Sequence, residues 1–491
     1  MRGLGRTADD PMGDEGHGES IDAPSLRTRR LSFAARALAI CFVCVMFVLS
    51  ALTYDRTLRS LPGPAGFQNV LAQAFLDGDI AAGAAPEQLL ALPDPYDPIS
   101  NAPYRGEGLH DLALYDGKVY VVHGPTPVVL LNIPYRLLGL GNLNPNLATL
   151  LFCIGAFLAS VALFEEVRRR YFPSSPLWMR LVAIVTVGLG TPLPWLISIG
   201  RAYEATIACG YFLAALSGYL LMRSLRDPAR PNLLLAALGS VAAAAAVGAR
   251  PHLAVLILFV GAAAWVGARA ASARRDGMSL LGALGAPYAL VALVLAWYNV
   301  ARFGSVTEFG THYQLSGYNM PTYPVYRLSY LWPGVRDYLF AWPRFEDAWP
   351  YLHLQLLTPY ESTRHTHEPV AGVVWLFPII VVGPATLLWS VRRLDGRTRA
   401  FLGLLALGTC TALLSLVAIS LPFSASTMRY TVDFAPLLVV SGLCAAAYAA
   451  VHAKGTVRRW LSYALCLLAS GSSVVAGCLL VATRCPGTGS C

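Results

Sequence analysis

Residues 147–170 read LATLLFCIGAFLASVALFEEVRRR, an apolar run that ends in a short charged cluster. The uncharged part is close to the roughly 20 residues that a helix needs to cross the hydrocarbon core of a bilayer. The arginines at 168–170 follow it after three residues, which is typical of a membrane helix whose end faces the cytoplasm. The pattern therefore predicts a helical membrane protein. Comparable apolar runs occur at 205–222, 280–298 and 432–451.

The composition supports the same interpretation. Of the 491 residues, 56% are hydrophobic and only 13% are charged, whereas soluble proteins average about 25% charged residues. The formal net charge of +9 could suggest nucleic acid binding. However, the basic residues lie in short clusters between apolar runs and form no single basic domain. We therefore predict that they set the membrane topology and that the chain binds no nucleic acid.

The apolar runs predict an all-α polytopic membrane protein with about 11 transmembrane helices. If the amino terminus is cytoplasmic, every short cytoplasmic loop carries basic residues, as the positive-inside rule requires. No small-residue cleavage site clearly follows the first run, so we predict an uncleaved signal anchor. The predicted helices lie at 32–53, 146–164, 179–197, 205–222, 232–248, 252–268, 279–298, 370–391, 400–421, 432–452 and 460–482.

The predicted organisation has three parts. Residues 1–31 form a disordered cytoplasmic tail, residues 32–482 form the membrane domain, and residues 483–491 form an outer carboxyl-terminal tail. Within the membrane domain, this orientation places two long segments, 54–145 and 299–369, on the outer face. All the unusual polar chemistry of the chain then lies on that face.

The first outer segment is rich in acidic residues and contains LPDPYDP (92–98) and LHDLALYDGKVYVVHGPTP (109–127). Turn-forming residues alternate there with short apolar segments, so we predict a small ordered unit rather than a loose tether. The next stretch, VVLLNIPYRLLGL (128–140), is short and contains a proline. We predict a helix in the membrane interface, with Tyr135 and Arg136 toward the headgroups. A full span there would move the arginines at 168–170 to the outside, against the charge rule.

The order of these features resembles that of the GT-C glycosyltransferases. HDLALYDGKVYVVHGPTP (110–127) and WYNVARFGSVTEFGTHYQL (297–315) are also similar to phrases of bacterial membrane proteins grouped with that superfamily. The resemblance implies a GT-C-like fold, a polyprenyl-phosphate-linked sugar as the donor substrate, and a catalytic Asp or Glu in the first outer loop. The sequence departs from the common pattern directly after the first helix, where Asp55 stands alone instead of in an acidic pair.

Transfer of a sugar from a lipid phosphate needs a carboxylate that takes a proton from the acceptor hydroxyl and cations that stabilise the departing phosphate. Asp111, flanked by His110, is the leading candidate for the base. Asp94 and Asp97 are the alternatives. Each of these carboxylates could instead hold a turn, which is an ordinary role for aspartate in such a loop.

Three predicted helix ends on the outer face carry an arginine. A charge at membrane depth costs about 2.5–3.5 kcal/mol on insertion scales, so such a residue usually faces a cavity or a partner. A guanidinium also suits phosphate oxygens. We predict that the three arginines border one cavity with Asp111 and bind the substrate; snorkelling toward headgroups is the alternative. They are Arg201 in GRAYEA (200–205), Arg250 in GARPHL (248–253) and Arg429 in MRYTVDFAP (428–436).

The neighbours of these arginines complete the predicted substrate-binding set. Glu204 follows Arg201 by three residues, so the two could pair on one helix face. Asp433 follows Arg429 by four residues, which is also a helical spacing. Tyr430 lies beside Arg429. The histidines at 353, 365 and 367 could suggest a metal, but their spacing matches no closed metal site. A divalent metal is left open as a cofactor.

The predicted function is a membrane glycosyltransferase that uses a polyprenyl-phosphate donor and a glycan, lipid or protein acceptor outside the cytoplasm. The chain contains no nucleotide-binding loop, which fits a lipid donor. The competing class is a transporter or flippase of a lipid-linked or anionic substrate. Broken helices at mid-membrane would favour that class, and Gly188, Gly190, Pro192 and Pro194 in the third predicted span keep it open.

Overall fold

The computed structural model describes residues 26–53, 58–60, 66–271, 273–355, 357, 368–391, 394–422 and 426–483. Its α-helices are α1 Leu26–Leu52, α2 Phe67–Leu76, α3 Glu87–Leu90, α4 Ala102–Tyr104, α5 Ile133–Leu137, α6 Pro145–Tyr171, α7 Leu177–Leu189, α8 Leu193–Ile199, α9 Ala202–Ser224, α10 Leu233–Val247, α11 Ile257–Ala270, α12 Arg274–Phe303, α13 Leu331–Phe340, α14 Val373–Leu376, α15 Ile379–Ser390, α16 Gly396–Ser420, α17 Ala435–His452 and α18 Thr456–Ala482. The strands are β1 Gly83–Ala84, β2 Leu112–Tyr115, β3 Lys118–Val121, β4 Arg344–Phe345 and β5 Leu352–His353. Short 3₁₀-helices at Pro251–Leu256 and Met428–Asp433 lie next to the site described below.

The predicted all-α polytopic class is confirmed. Within the described ranges, 9 helical segments are long and apolar enough to cross a membrane. Two further predicted spans, α10 and α15, are present as shorter apolar helices. Their exposed apolar side chains, such as Leu234 and Leu388, suit a hydrocarbon environment.

The third predicted span is broken rather than continuous. Helix α7 ends at Leu189 and α8 begins at Leu193, because Pro192 between them has no N–H to donate to the preceding turn. The break packs against α18, where a Cβ on Gly477 would overlap the Leu189 carbonyl. The predicted span 370–391 is likewise divided into α14 and α15, and Pro378 lies at that division.

The first outer segment folds into a small ordered unit, in agreement with the sequence pattern. Its three-stranded antiparallel sheet has the order β1-β3-β2. The free edge of β2 takes up part of the second outer segment, since Asp111 N–H donates to the Leu315 carbonyl at 2.9 Å and Leu315 N–H donates to the Leu112 carbonyl at 2.8 Å. The two outer segments are therefore joined by main-chain hydrogen bonds beside Asp111.

The outer unit rests on the membrane helices through a contact between two glycines. A Cβ on Gly124 would overlap the carbonyl of Gly248, which follows α10. Beside this contact, Thr126 N–H donates to the Gly248 carbonyl at 3.2 Å and Thr126 Oγ1 donates to the Ala245 carbonyl at 2.8 Å. We call the Gly124–Gly248 contact the glycine seam.

The stretch predicted as an interfacial helix is helical. It contains a π-helix at Val128–Asn132 followed by α5. The side chains of Tyr135 and Arg136 have protein partners. Tyr135 shares a hydrogen bond with Ser60 Oγ at 2.8 Å, and Arg136 Nε donates to Asn142 Oδ1 at 3.0 Å.

Candidate active site

Asp111 lies at the start of β2 and is held by donors from two other elements. Tyr203, in the first turn of α9, donates its hydroxyl to Asp111 Oδ2. Gln314 Nε2 donates to Oδ1 at 2.6 Å. The backbone φ of Asp111 is +62°, a left-handed conformation that aspartate tolerates better than most residues. The carboxylate is thus fixed in orientation while its side chain stays 17% exposed.

His110 flanks this carboxylate from the solvent side. Its Nε2 is 3.6 Å from Asp111 Oδ2, and its side chain is about half exposed. This distance is too long for a direct hydrogen bond. The predicted proximity of His110 and Asp111 therefore occurs as a loose electrostatic contact.

Arg429 lies on the other side of Tyr203. Its guanidinium carbon is 5.0 Å from the centre of the Tyr203 ring, within the range of a cation–π contact. One Nη forms an ion pair with Glu368 Oε1 at 2.6 Å, and the other lies 3.8 Å from Glu204 Oε1. Because Tyr203 touches Arg429 with its ring and Asp111 with its hydroxyl, it connects the candidate base to a cation.

Arg250 approaches the same place from the turn before the 3₁₀-helix Pro251–Leu256. Its guanidinium stacks on the Tyr430 ring at 4.5 Å, and Arg429 lies 5.7 Å from that ring. The ion-pair partner of Arg250 is Asp433 at 2.8 Å, and His252 Nε2 lies 3.4 Å from the same carboxylate oxygen. The predicted neighbours Arg250, Arg429 and Tyr430 are therefore brought together.

The expected local ion pair between Arg429 and Asp433 was wrong in its partner. Asp433 pairs with Arg250 instead of Arg429, because residues 428–433 form a 3₁₀-helix, in which side chains four residues apart do not share a face. Glu204 lies near Arg429, and its Oε2 accepts the main-chain N–H of Arg201 at 3.0 Å. Arg201 thus acts as the N-cap residue of α9.

The alternative bases, Asp94 and Asp97, hold turns. Asp94 accepts the Tyr96 N–H at 2.9 Å and the Asn319 side-chain amide at 2.6 Å. Asp97 accepts both the hydroxyl and the main-chain N–H of Ser100, and these hydrogen bonds hold the pKa of Asp97 below its usual range. Such contacts order the loop that surrounds Asp111.

His123 is a site residue that the sequence analysis missed. Its ring stacks on Phe67 at 5.1 Å and meets the Tyr203 ring at 4.9 Å. Burial lowers the pKa of His123 to about 4; the Asp111 carboxylate opposes this shift, and the charges of the two arginines add to it. At neutral pH the ring is uncharged, so it can accept or donate a hydrogen bond but supplies no cation.

Tyr203, Gln314 and Glu368 were also missed. Tyr203 lies inside GRAYEA, and Gln314 lies inside the second phrase that carries the family resemblance. Their position in those phrases was the one signal that could have marked them as site residues. Tyr203 and Gln314 lie 92 and 203 residues from Asp111 in the sequence, and no local pattern shows that either one reaches it.

Four buried nitrogens at this site have no hydrogen-bond partner among the described residues: His123 Nδ1, Arg250 Nε, His252 Nε2 and Arg429 Nε. Buried polar groups are normally satisfied, so these atoms favour the binding of a polar ligand. Groups of three or more His, Cys, Asp and Glu side chains suited to a metal ion do not occur in the part of the chain that the structure describes. His353 pairs with Glu346 at 3.5 Å, whereas residues 365 and 367 lie outside the described ranges.

Comparison with known proteins gives one distant structural similarity. No protein-family model and no curated protein sequence matches the chain. The solved structure that it matches is that of ArnT from Cupriavidus metallidurans bound to undecaprenyl phosphate, with 13% sequence identity and a TM-score of 0.43. The match covers 86% of this chain, which spans 61% of the length of that one. This similarity assigns no residue a role.

Proposed function

We propose that the chain is a GT-C-type membrane glycosyltransferase that moves a sugar from a polyprenyl-phosphate donor to an acceptor outside the cytoplasm. The observation that supports this most is the placement of Tyr203 between Asp111 and Arg429. A positioned carboxylate and a guanidinium on opposite sides of one residue are the two groups that the transfer needs. The acceptor is a glycan, a lipid or a protein, and no step of this proposal involves a metal ion.

In the proposed reaction, Asp111 takes the proton of the acceptor hydroxyl while the acceptor oxygen attacks the anomeric carbon of the sugar. The bond between that carbon and the phosphate oxygen breaks, and its electron pair leaves with polyprenyl phosphate. Arg250 and Arg429 stabilise the negative charge that develops on the phosphate. The partly exposed edge of Asp111 then returns the proton to water.

The direct test is an assay of bond cleavage. The purified chain in lipid nanodiscs is mixed with polyprenyl phosphates that carry different radiolabelled sugars, and with a delipidated cell-envelope extract as the source of acceptor. We expect one donor to lose its label to the acceptor fraction and to release polyprenyl phosphate. If no donor is cleaved under these conditions, the proposed activity is wrong.

A transporter or flippase is the second candidate, and the division between α7 and α8 favours it, because transporters bind substrates at broken helices. The chain reconstituted into sealed vesicles distinguishes the two functions. Movement of an intact lipid-linked sugar to the opposite leaflet without cleavage would support transport.

The proposed topology places the amino terminus in the cytoplasm and residues 54–145 outside, in a bacterial plasma membrane. We expect a single cysteine at the exposed position Ile99 to react with an impermeant maleimide in right-side-out vesicles of a chain whose native cysteines are replaced by alanine. The matched variant, Arg230→Cys in the exposed α9–α10 loop, should react after permeabilisation. The reverse labelling pattern would overturn the topology.

Gln314 should act by positioning Asp111. Replacing it with leucine removes one of the two donors to the carboxylate, so we expect kcat to fall by about 10- to 100-fold with little change in the donor KM. Initial transfer rates at several donor concentrations measure both constants. The control is Gln355→Leu, at an exposed position of the same outer segment. Equal rates for the two variants would remove Gln314 from the proposed mechanism.

A further inference from the structure

The two arginines of the candidate site are already matched by carboxylates. Arg250 pairs with Asp433, while Arg429 pairs with Glu368 and lies near Glu204. A phosphate that entered this site would therefore find both guanidinium groups already paired with a carboxylate. Adding an uncompensated charge to a largely buried site is strongly unfavourable, so one carboxylate has to leave when an anion binds.

Glu368 is the carboxylate that can leave. The side chains of Asp433 and Glu204 are 0% and 1% exposed, and both have the additional contacts described above. The Glu368 side chain is 23% exposed. Its other oxygen accepts the hydroxyl of Thr427, which is a neutral partner. Glu368 therefore returns to water more easily than the other two.

The guanidinium of Arg429 also has an unused donor. Glu368 engages one Nη, whereas the buried Nε has no partner among the described residues. A phosphate can accept two parallel hydrogen bonds from a guanidinium. A phosphate in the place of Glu368 could therefore take the Nη that this glutamate occupies and satisfy the Nε as well.

We propose that Glu368 is the resident counter-ion of Arg429 and that the donor phosphate takes its place. This inference rests on the proposed function and narrows its substrate class. A sugar linked to one phosphate is a phosphodiester with a single negative charge, so its exchange with one carboxylate leaves the charge of the site unchanged. A diphosphate-linked sugar carries more negative charge and finds no second carboxylate that is easily displaced. The exchange selects monophosphate-linked donors.

The test is the affinity of Glu368→Gln for undecaprenyl methyl phosphate, a phosphodiester with one charge, in nanodiscs. If the Glu368 carboxylate is paired with Arg429 in about nine-tenths of the molecules, its removal should tighten binding of the phosphodiester about tenfold. Without the phosphodiester the variant should melt at a lower temperature than the wild type, because Arg429 loses its counter-ion, and the phosphodiester should reduce that difference. Undecaprenyl diphosphate should bind the wild type more weakly than the phosphodiester.

The matched control is Glu346→Gln, which removes a glutamate of the same outer segment that pairs with Arg344 at 2.7 Å; its affinity should equal that of the wild type. Thr427→Val removes the hydroxyl that holds Glu368 and keeps every charge, so it should tighten binding by a smaller factor. If Glu368→Gln does not fold, the affinity of Thr427→Val for the phosphodiester is the deciding measurement.

The outcomes separate the two proposals. If the wild type binds the phosphodiester better than it binds undecaprenol, but neither variant binds it more tightly, Glu368 is a fixed structural ligand and this inference is wrong, while the proposed function stands. Stronger binding of the diphosphate by the wild type would also overturn the selection of monophosphates. If the wild type binds the phosphodiester no better than undecaprenol, the phosphate site is absent and both proposals fail.

Discussion

Replacing Asp111 with asparagine is expected to lower the initial rate of sugar transfer by about 10²- to 10⁴-fold, the usual contribution of a positioned general base. The amide nearly preserves the volume of the carboxylate but cannot accept the proton. Donor binding should change little, because Arg250 and Arg429 are retained. Rates are compared at equal amounts of inserted protein, with donor affinity measured separately.

The comparison variants are Asp94→Asn and Asp97→Asn. Their contacts with the Tyr96 N–H, Asn319 and Ser100 hold turns, so we expect small losses that follow the stability of the protein. Near-normal transfer by Asp111→Asn would make Asp111 a turn residue and place the base elsewhere. If all three variants transfer normally, the acidic-loop mechanism is wrong and the transporter becomes the better proposal.

The second large effect concerns stability. Replacing Arg250 with glutamine should lower the free energy of unfolding by about 3–5 kcal/mol, because removal of one partner leaves the other charge buried without compensation. The Asp433 side chain is fully buried, and it borders a small cavity whose walls are mostly apolar. Water cannot replace the lost guanidinium there at little cost. Thermal unfolding in detergent measures the loss.

Two further variants identify its cause. Arg250→Gln combined with Asp433→Asn removes both charges and should recover much of the lost stability. Arg344→Gln removes one partner of an exposed pair with Glu346, for which the expected loss is about 0–1 kcal/mol. If Arg250→Gln melts at the same temperature as Arg344→Gln, the Asp433 carboxylate is hydrated or protonated in the folded protein.

The membrane helices were predictable because the length and charge of an apolar run depend on neighbouring residues alone. The two breaks in predicted spans were harder to place. Glycines and prolines at 188–194 marked the first one, but its position depends on how Gly477 packs against Leu189. A contact of this kind links residues that are far apart in the chain and leaves no periodic signal.

The residues of the candidate site could in part be predicted from the sequence, but the ion pairs that they form could not. Asp111, Arg250 and Arg429 were singled out from motifs and helix ends, and the structure connects them through aromatic rings. The partner of Arg250 lies 183 residues away, so local spacing pointed to the wrong ion pair. Spacing rules assume a regular α-helix, and both Arg250 and Asp433 lie at short 3₁₀-helices.

The glycine seam limits which residues around the site can change during evolution. Asp111 belongs to the outer unit, and Arg250 follows Gly248 by two residues. We therefore expect the contact between Gly124 and Gly248 to limit how closely the base can approach the cation. Main-chain atoms meet there without a side chain that could be shortened to make room. Descendants of this chain could exchange loop residues to suit a new sugar or acceptor. We expect them to retain both glycines, which would make the pair a more durable mark of ancestry than the residues that contact the substrate.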